Sequence, residues 1–282
     1  MITLQTVAEI QEKLADSRKK GLKTGFVPTM GALHKGHISL IERAKAENNI
    51  VICSIFVNPT QFNDPKDLER YPRTLDTDSR MLEMAGTSIL FSPQVKDIYP
   101  EGMNQVPPIE LGMLDKVMEG RLRPGHFRGV VQVVSRLFDI VQADVAYFGQ
   151  KDWQQVAVIR EMVRQLRYPI QIVACPIVRE ADGLAMSSRN VLLSPEERSV
   201  VSGIYKTLSV VKDLSATKPL AELIDFALDS ISKIKGMSPE YFEIVDAQTL
   251  LPVTKMNDAE SIVACTAVKI GKVRLIDNMI LK

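Results

Sequence analysis

Residues 25–57, GFVPTMGALHKGHISLIERAKAENNIVICSIFV, contain two apolar runs joined by a glycine- and histidine-containing turn and an amphipathic stretch. Residues 25–29 form a short, largely apolar run, as in a strand. Residues 35–47 carry apolar side chains at helical spacing. Residues 50–57 indicate a buried strand, because the run is far too short to span a bilayer. The stretch therefore predicts a strand–helix–strand unit, the building block of a parallel sheet.

The same alternation continues to about residue 180. Predicted helices cover residues 75–84, 130–141 and 154–167, and predicted strands cover residues 88–91, 144–148 and 170–177. Strands separated by helices favour a parallel sheet with helices on both faces. We therefore expect an α/β fold in which residues 1–180 form a Rossmann-like domain. Residues 94–129 form a longer connection than is usual, and such loops tend to be lids or binding loops.

Beyond residue 180 the pattern changes. Ser194 is a good N-cap for a helix because proline and two glutamates follow it in the first turn. Helical periodicity returns at residues 220–234. Short apolar segments at residues 241–245, 261–268 and 273–276 are then separated by turn residues. Residues 181–282 are therefore predicted to form a smaller α+β domain with a small antiparallel sheet.

Composition and charge argue against several classes of protein. Lysine and arginine number 35 against 34 acidic residues, so the basic excess of a typical nucleic-acid binder is missing. Residues 1–20 lack the apolar core of a signal peptide. Cys53, Cys175 and Cys265 lie in apolar runs without CxxC spacing, which favours reduced core thiols over a metal site. We expect a cytoplasmic protein with neither a nucleic-acid nor a membrane partner.

The three histidines, His34, His37 and His126, all lie in glycine-containing segments. His34 and His37 follow the first strand, where α/β sheets bind ligands and a helix N-terminus offers free N–H groups to phosphate. Gly31 and Gly36 allow close approach of a ligand to the backbone. Neither GxGxxG nor the Walker pattern is present, which leaves HxGH as the motif. Two structural histidines at a turn are the alternative, and the strand–loop–helix setting favours a site.

Two further segments carry polar side chains suited to a nucleotide. Lys151 in FGQKDWQQ (residues 148–155) would meet a phosphate as a point charge, and Asp152 would cap the next helix or contact a ribose or a metal. In the segment at residues 178–190, two serines and Arg189 suit β- and γ-phosphates. An ordinary polar turn would be the default interpretation of FGQKDWQQ alone, and it explains residues 178–190 only if the other two segments are ignored.

Five motifs, in this order, resemble the pantothenate synthetase family: PTMGALHKGH (28–37), SIFVNPTQF (54–62), GRLRPGHFRGV (120–130), FGQKDWQQ (148–155) and READGLAMSSRN (179–190). HxGH is the signature of the nucleotidylyltransferase and class I aminoacyl-tRNA synthetase superfamily. The sequence MSSR (186–189) resembles a degenerate form of its KMSKS loop. The resemblance covers residues 28–190, and the C-terminal third is compatible in length but carries little signature.

The resemblance implies ATP-dependent joining of (R)-pantoate to β-alanine through pantoyl adenylate, with release of AMP and pyrophosphate. It implies His37, which the family assigns as proton donor, His34 and Lys151 as catalytic residues, and Gln61 and Gln155 as pantoate ligands, with Gln61 also placed for β-alanine. Mg²⁺ is expected on the phosphates rather than in a protein metal site. Family members are homodimers. The implied ATP-site residues are Met30, Gly31, Ala32, Leu33, His34, Lys35, Gly36, His37, Gly149, Gln150, Lys151, Asp152, Val178, Met186, Ser187, Ser188 and Arg189.

Three other functions fit the sequence less well. A nucleotidylyltransferase acting on a phosphorylated precursor needs further cations and leaves residues 54–62 unexplained. A non-catalytic nucleotide- or RNA-binding module predicts a loss of polar site residues or a basic surface. An aminoacyl-tRNA synthetase needs tRNA-binding appendages, for which the chain is short and too neutral. His126 is interpreted as part of a helix-entry or lid element, and a structural role is favoured.

Overall fold

The computed structural model describes residues 1–282, apart from the side chain of Asp67. Within this described part the strands are β1 Ile2–Leu4, β2 Thr24–Thr29, β3 Ile50–Ile55, β4 Ile89–Phe91, β5 Val145–Gly149, β6 Gln171–Cys175, β7 Met237–Asp246, β8 Ile262–Ile270 and β9 Val273–Ile280. The helices are α1 Val7–Lys19, α2 Lys35–Glu47, α3 Pro65–Arg70, α4 Leu75–Ala85, α5 Val95–Ile98, α6 Met118–Leu122, α7 His126–Val141, α8 Trp153–Leu166, α9 Pro195–Val200, α10 Gly203–Leu214 and α11 Leu220–Ser232. Short 3₁₀ turns occur at Pro59–Gln61, Gly112–Asp115, Gln150–Asp152 and Asn190–Leu192.

The larger sheet is parallel throughout and has the strand order β1-β4-β3-β2-β5-β6. From β2 the chain builds outward to β3 and β4 on one side, and it later returns to β5 and β6 on the other. The strand order therefore reverses between β2 and β5. In open α/β sheets the ligand crevice lies at this reversal, outside the carboxyl ends of the strands.

Helices cover both faces of this sheet, because successive residues of a strand point to opposite sides. Phe26 of β2 packs in the core that contains Phe138 of α7 and Ile159 of α8. Its neighbour Val27 packs in the core that contains Ile41 of α2. The runs of apolar residues in the strands are thus explained by burial on both faces.

The smaller sheet is antiparallel, with the order β7-β8-β9. One face packs on α10 and α11, where Phe242 joins a separate core with Leu208 and Leu223. The other face packs against the first part of the chain, and Tyr241 shares a buried cluster with Met118 and Ala157. The C-terminal sheet is therefore fixed against the helices that flank the larger sheet.

The predicted α/β class with a small antiparallel C-terminal sheet is confirmed. A domain boundary near residue 180 stays a prediction. The predicted helix at residues 130–141 begins four residues earlier, at His126, so this histidine does lie at a helix entry. Residues 94–129 contain α5 and α6 in place of a continuous loop. No helix in the described part of the chain is both long and apolar enough to cross a membrane.

Candidate active site

The histidine loop, defined here as residues 29–37, connects β2 to α2 at the strand-order reversal. Its backbone is held by hydrogen bonds. Gly31 has a φ of 81°, in the left-handed region that favours glycine. The Gly31 N–H donates to Thr29 Oγ1 at 3.2 Å. The N–H groups of Ala32 and Leu33 donate to the carboxylate of Asp78 on α4, each at 2.9 Å. Asp78 is almost completely buried, so it acts as an internal anchor for the loop.

The two histidines of this loop cap α2 and contact each other. His34 Nδ1 accepts from the Gly36 N–H at 3.1 Å, and His37 Nδ1 accepts from the His34 N–H at 3.3 Å. Their ring centroids are 4.1 Å apart. Because each Nδ1 accepts a hydrogen bond, each neutral ring carries its proton on Nε2. The expectation that this helix entry offers free N–H groups is therefore wrong for several of them. The Gly31, His34 and Gly36 N–H groups donate within the loop, and those of Ala32 and Leu33 donate to Asp78.

Both rings are neutral at pH 7. Burial, with a further contribution from the Lys151 ammonium, lowers the pKa of His34 to about 4. Burial, with contributions from His34 and Lys151, lowers the pKa of His37 to about 3. Neutral imidazoles with Nε2–H groups are hydrogen-bond donors that add no charge. The pair is suited to meet oxygen atoms of a ligand.

The lysine turn, residues 149–152, follows β5 on the other side of the reversal. Lys151 Nζ lies 3.4 Å from Asp152 Oδ1, and the lysine side chain is 20% exposed. Asp152 occupies the N-cap position of α8 without a side-chain capping hydrogen bond, so the predicted capping role is wrong. The amide of Asn278, from β9, donates to the carbonyl oxygens of Gln150 and Lys151, each at 2.9 Å.

The serine–arginine segment, residues 186–190, follows a tight hairpin at residues 179–185. Arg179 pairs with Asp277 of β9 through Nη1–Oδ2 and Nη2–Oδ1 distances of 2.6 and 3.0 Å. The Met186 N–H donates to the Val178 carbonyl oxygen at 3.0 Å, and the Arg189 N–H donates to Ser187 Oγ at 3.2 Å. The C-terminal sheet thus supports this segment as well as the lysine turn.

Gln61 lies in the 3₁₀ turn after β3, and three groups fix its position. Asn58, which is buried, donates to Gln61 Oε1 at 3.2 Å. His126 Nδ1 lies 2.9 Å from the Gln61 carbonyl oxygen, so the ring donates and carries its proton on Nδ1. A side chain at Gly129 would clash with Thr60, because an added Cβ would lie 2.3 Å from its carbonyl oxygen. His126 therefore supports Gln61 from the first turn of α7.

These segments surround two adjoining cavities. The inner cavity has a volume of about 220 Å³, and the outer one, between the two sheets, about 780 Å³. Tyr71, Lys151, Asp152 and the Ser187–Arg189 side chains line both of them. Fourteen of the predicted residues line the inner cavity: Met30, His34, Gly36, His37, Gln61, Gly149, Lys151, Asp152, Gln155, Val178, Met186, Ser187, Ser188 and Arg189.

Five predicted residues do not line the inner cavity: Gly31, Ala32, Leu33, Lys35 and Gln150. The Ala32 and Leu33 N–H groups donate to Asp78, outside the cavity, and the Lys35 side chain is exposed. Sequence reasoning also missed several side chains. Tyr71 and Asn58 also line the inner cavity, as Gln61 does. On α7, Val130, Val133, Val134 and Leu137 form an apolar wall of this cavity.

The outer cavity is lined by more cations than carboxylates. Its cations come from α3, the end of α6, the lysine turn, the serine–arginine segment and β8–β9, and include Arg70, Lys269 and Lys272. Arg274 is engaged by Glu119, with both of its Nη–Oε distances at 2.7 Å. Among the side chains that the structure describes, no group of three or more His, Cys, Asp or Glu forms a metal site. All three cysteines are free and buried, as expected.

Known proteins resemble this chain in both sequence and structure. The family model for pantoate-beta-alanine ligase matches residues 2–280. A pantothenate synthetase of Phocaeicola vulgatus is 51% identical over 280 residues, covering 99% of each chain. The crystal structure of pantothenate synthetase from Thermus thermophilus has a TM-score of 0.93 at 42% identity and covers 100% of this chain and 99% of its own.

A second solved structure is a complex with ligands. Pantoate-beta-alanine ligase from Francisella tularensis, complexed with beta-gamma ATP and beta-alanine, has a TM-score of 0.82 at 37% identity, covering 100% of this chain and 98% of that one. The family match and the relatives extend over nearly the whole chain, including the C-terminal third that carried little signature. The chain therefore belongs to the pantoate-beta-alanine ligase family.

Proposed function

We propose that the two adjoining cavities carry out the ATP-dependent condensation of (R)-pantoate with β-alanine, through a pantoyl adenylate. A carboxylate is a poor electrophile because its oxygen leaves badly. Attack of a pantoate carboxylate oxygen on the α-phosphorus of ATP displaces pyrophosphate and forms a mixed anhydride. The amine of β-alanine then attacks the acyl carbon, and AMP leaves. The observation that carries the proposal is the meeting of HxGH, Lys151 and Ser187–Arg189 around one cavity.

ATP is held where the donors and cations converge. Lys151 and Arg189 line both cavities, so they are placed for a chain of phosphates that runs between them. His34 and His37 add Nε2–H donors from the helix entry. Negative charge that develops on the phosphoryl oxygens is stabilised by such fixed donors. A neutral His37 acts here mainly as a hydrogen-bond donor, and it donates a proton only if bound phosphate raises its pKa.

Pantoate is held in the inner part of the cavity, between polar and apolar walls. Gln61 and Gln155 supply amide groups that donate to carboxylate oxygens and accept from hydroxyls. Val130, Val133, Val134 and Leu137 supply an apolar wall on α7 that suits the geminal methyl groups of this acid. A mixed lining of this kind, with few convergent polar groups, is typical of small-molecule sites.

Neutral amides suit the first step better than an arginine clamp. A cation bound to the carboxylate would withdraw charge from the attacking oxygen. It would stabilise the ground state as much as the transition state, without gain in rate. Lys151 and Arg189, the two cations among the described residues that line the inner cavity, lie instead in the segments that face the phosphates, where the leaving pyrophosphate needs them.

The residues present fit a Mg²⁺ ion that arrives with the nucleotide. Mg²⁺ prefers phosphate oxygens and water to an all-protein cage. Asp152 is the one carboxylate among the described residues that line the inner cavity, and it is the side chain that would contact the ion or its water. When bound, the ion would neutralise charge on the phosphates.

Two further properties follow from the family resemblance and the composition. The chain acts as a homodimer, as its family does. It works in the cytoplasm, where three buried, unpaired thiols stay reduced.

The test is ATP–pyrophosphate exchange with pantoate as the only added acid. The proposal predicts exchange that depends on pantoate and on Mg²⁺, and formation of pantothenate and AMP when β-alanine is added. Formation of ADP and phosphate would overturn it, because those products indicate an acyl phosphate.

A further inference from the structure

Asn278 of β9 reaches the active site from the C-terminal sheet, although the sequence motifs end at residue 190. Its side chain is 2% exposed. Its Nδ2 group donates to the carbonyl oxygens of Gln150 and Lys151, each at 2.9 Å. Two carbonyl acceptors fix the orientation of the amide, because only the NH₂ end can donate twice.

Asn278 is itself held rigidly. Its backbone N–H donates to Asp277 Oδ1 at 2.8 Å, and its carbonyl oxygen accepts from Arg179 Nη2 at 3.2 Å. Arg179 also pairs with both Asp277 oxygens and lies 4.4 Å from the ring centre of Tyr205. A planar guanidinium bound in this way has little freedom to move.

The lysine turn, in contrast, has weak support of its own. It is a single 3₁₀ turn, and Asp152 makes no side-chain cap for α8. The Lys151 ammonium has Asp152 as its ion-pair partner at 3.4 Å, a partly exposed contact of small energetic value. The direction of the Lys151 side chain therefore depends on the two carbonyl groups that Asn278 holds.

We propose that Asn278 is a positioning residue for Lys151, so that the C-terminal sheet sets the geometry of the phosphate-binding ammonium. The proposal rests on the role assigned above to Lys151. It predicts that loss of the Asn278 amide slows adenylation by displacing the ammonium, while binding of pantoate at Gln61 and Gln155 is preserved. A displacement of about 1 Å at a reacting centre can reduce a rate by up to about 10²-fold.

The experiment compares Asn278→Ser with Thr266→Val. Thr266 is the cross-strand partner of Asp277, is fully buried, and donates to the Tyr241 carbonyl oxygen at 2.8 Å. Thr266→Val thus removes one buried hydrogen bond from the same sheet without contact to the lysine turn. Asn278→Ser should lower the kcat of pantoate-dependent exchange about tenfold with the KM for pantoate little changed. Thr266→Val should retain kcat within about twofold.

The decisive measurement repeats Asn278→Ser in a Lys151→Ala background at raised enzyme concentration. If Asn278 acts through Lys151, the second substitution should have an effect below about twofold there. A tenfold effect in both backgrounds, or a kcat equal to that of Thr266→Val, would overturn the positioning role. Asn278→Thr replaces Asn278→Ser if the serine variant does not fold, because threonine suits a strand.

The two proposals fail in different ways. Absence of pantoate-dependent exchange in the unmodified chain contradicts the proposed function. Normal exchange in Lys151→Ala contradicts the role assigned to Lys151, and the positioning role of Asn278 with it. Normal exchange in Asn278→Ser together with strong loss in Lys151→Ala contradicts the positioning role alone.

Discussion

The histidine loop and the lysine turn lie at the carboxyl ends of neighbouring strands, yet they are held in place by different parts of the chain. The histidine loop is supported locally: its residues cap α2 themselves, and Asp78 binds its amides from the nearby helix α4. The lysine turn is supported by Asn278, which lies 127 residues beyond Lys151 along the chain.

One site is therefore held by two structural units. The hydrogen bonds that hold the histidine loop described above come from the loop itself and from α4 of the first part of the chain. The lysine turn and the hairpin before the serine–arginine segment are instead bonded to β9, through Asn278 and through the Arg179–Asp277 pair. Damage to the C-terminal sheet should therefore displace Lys151 and Arg189 before it displaces the histidines.

The largest effect is expected when a functional side chain is removed from either region. Lys151→Ala and His37→Ala should each lower adenylation about 10²-fold or more, by analogy with loss of a single oxyanion donor. Lys151→Ala should change the melting temperature little, because its ion pair is partly exposed. Pantoate-dependent exchange and thermal unfolding measure the two quantities.

Lys206→Ala, at an exposed position of α10, is the matched control for Lys151→Ala. It should leave exchange unchanged. A large loss of stability in Lys151→Ala with near-normal exchange would mean that Lys151 has a structural role only.

A smaller effect is expected from the scaffold of the histidine loop. Asp78→Asn replaces one carboxylate oxygen by an NH₂ group, which then faces either the Ala32 or the Leu33 N–H donor and cannot accept its hydrogen bond. The free energy of unfolding should fall by about 1.5–3 kcal/mol, the range for hydrogen bonds to a charged group. Exchange should fall about tenfold because the loop shifts. Urea unfolding and the exchange assay test both effects.

Asp76→Asn, at an exposed position of the same helix, serves as the control. Equal stability of the two variants would show that Asp78 does not anchor the loop. The histidine loop and the lysine turn would then no longer differ in whether nearby residues hold them in place.

The smallest effect is a difference in pH dependence. The pKa values of His34 and His37 are lowered to about 4 and about 3 in the folded chain, chiefly by burial. Below pH 6.5 the unfolded chain binds more protons than the folded one, so stability is lost as pH falls toward these values. A His34→Gln, His37→Gln double variant should therefore lose about 1 kcal/mol less than the parent between pH 7 and 6.

Urea unfolding at both pH values checks this expectation. Parallel loss of stability in parent and variant would contradict burial of neutral histidines in the loop. The lysine turn contains no histidine, so the Asn278 variants should keep the pH slope of the parent.

The same contrast explains what could be predicted from the sequence. Local signals sufficed for the α/β fold and for most of the predicted residues that line the inner cavity, because strand, turn and helix patterns lie within the motifs. Asp78, Tyr71 and Asn278 were missed, since nothing in the neighbouring sequence indicates which distant loop each of them meets. The expectation of free amides in the histidine loop was wrong for a related reason. A buried carboxylate from another helix had already taken two of them.

Transfer of an oxygen atom from pantoate to AMP would show whether the carboxylate attacks the α-phosphorus. Pantoate labelled with ¹⁸O in its carboxylate is incubated with MgATP, β-alanine and the enzyme, and the AMP is analysed by mass spectrometry. If the carboxylate oxygen attacks the α-phosphorus, one ¹⁸O atom should appear in the AMP phosphate and none in the pyrophosphate. Unlabelled AMP, or label in inorganic phosphate, would contradict adenylation of pantoate at this site.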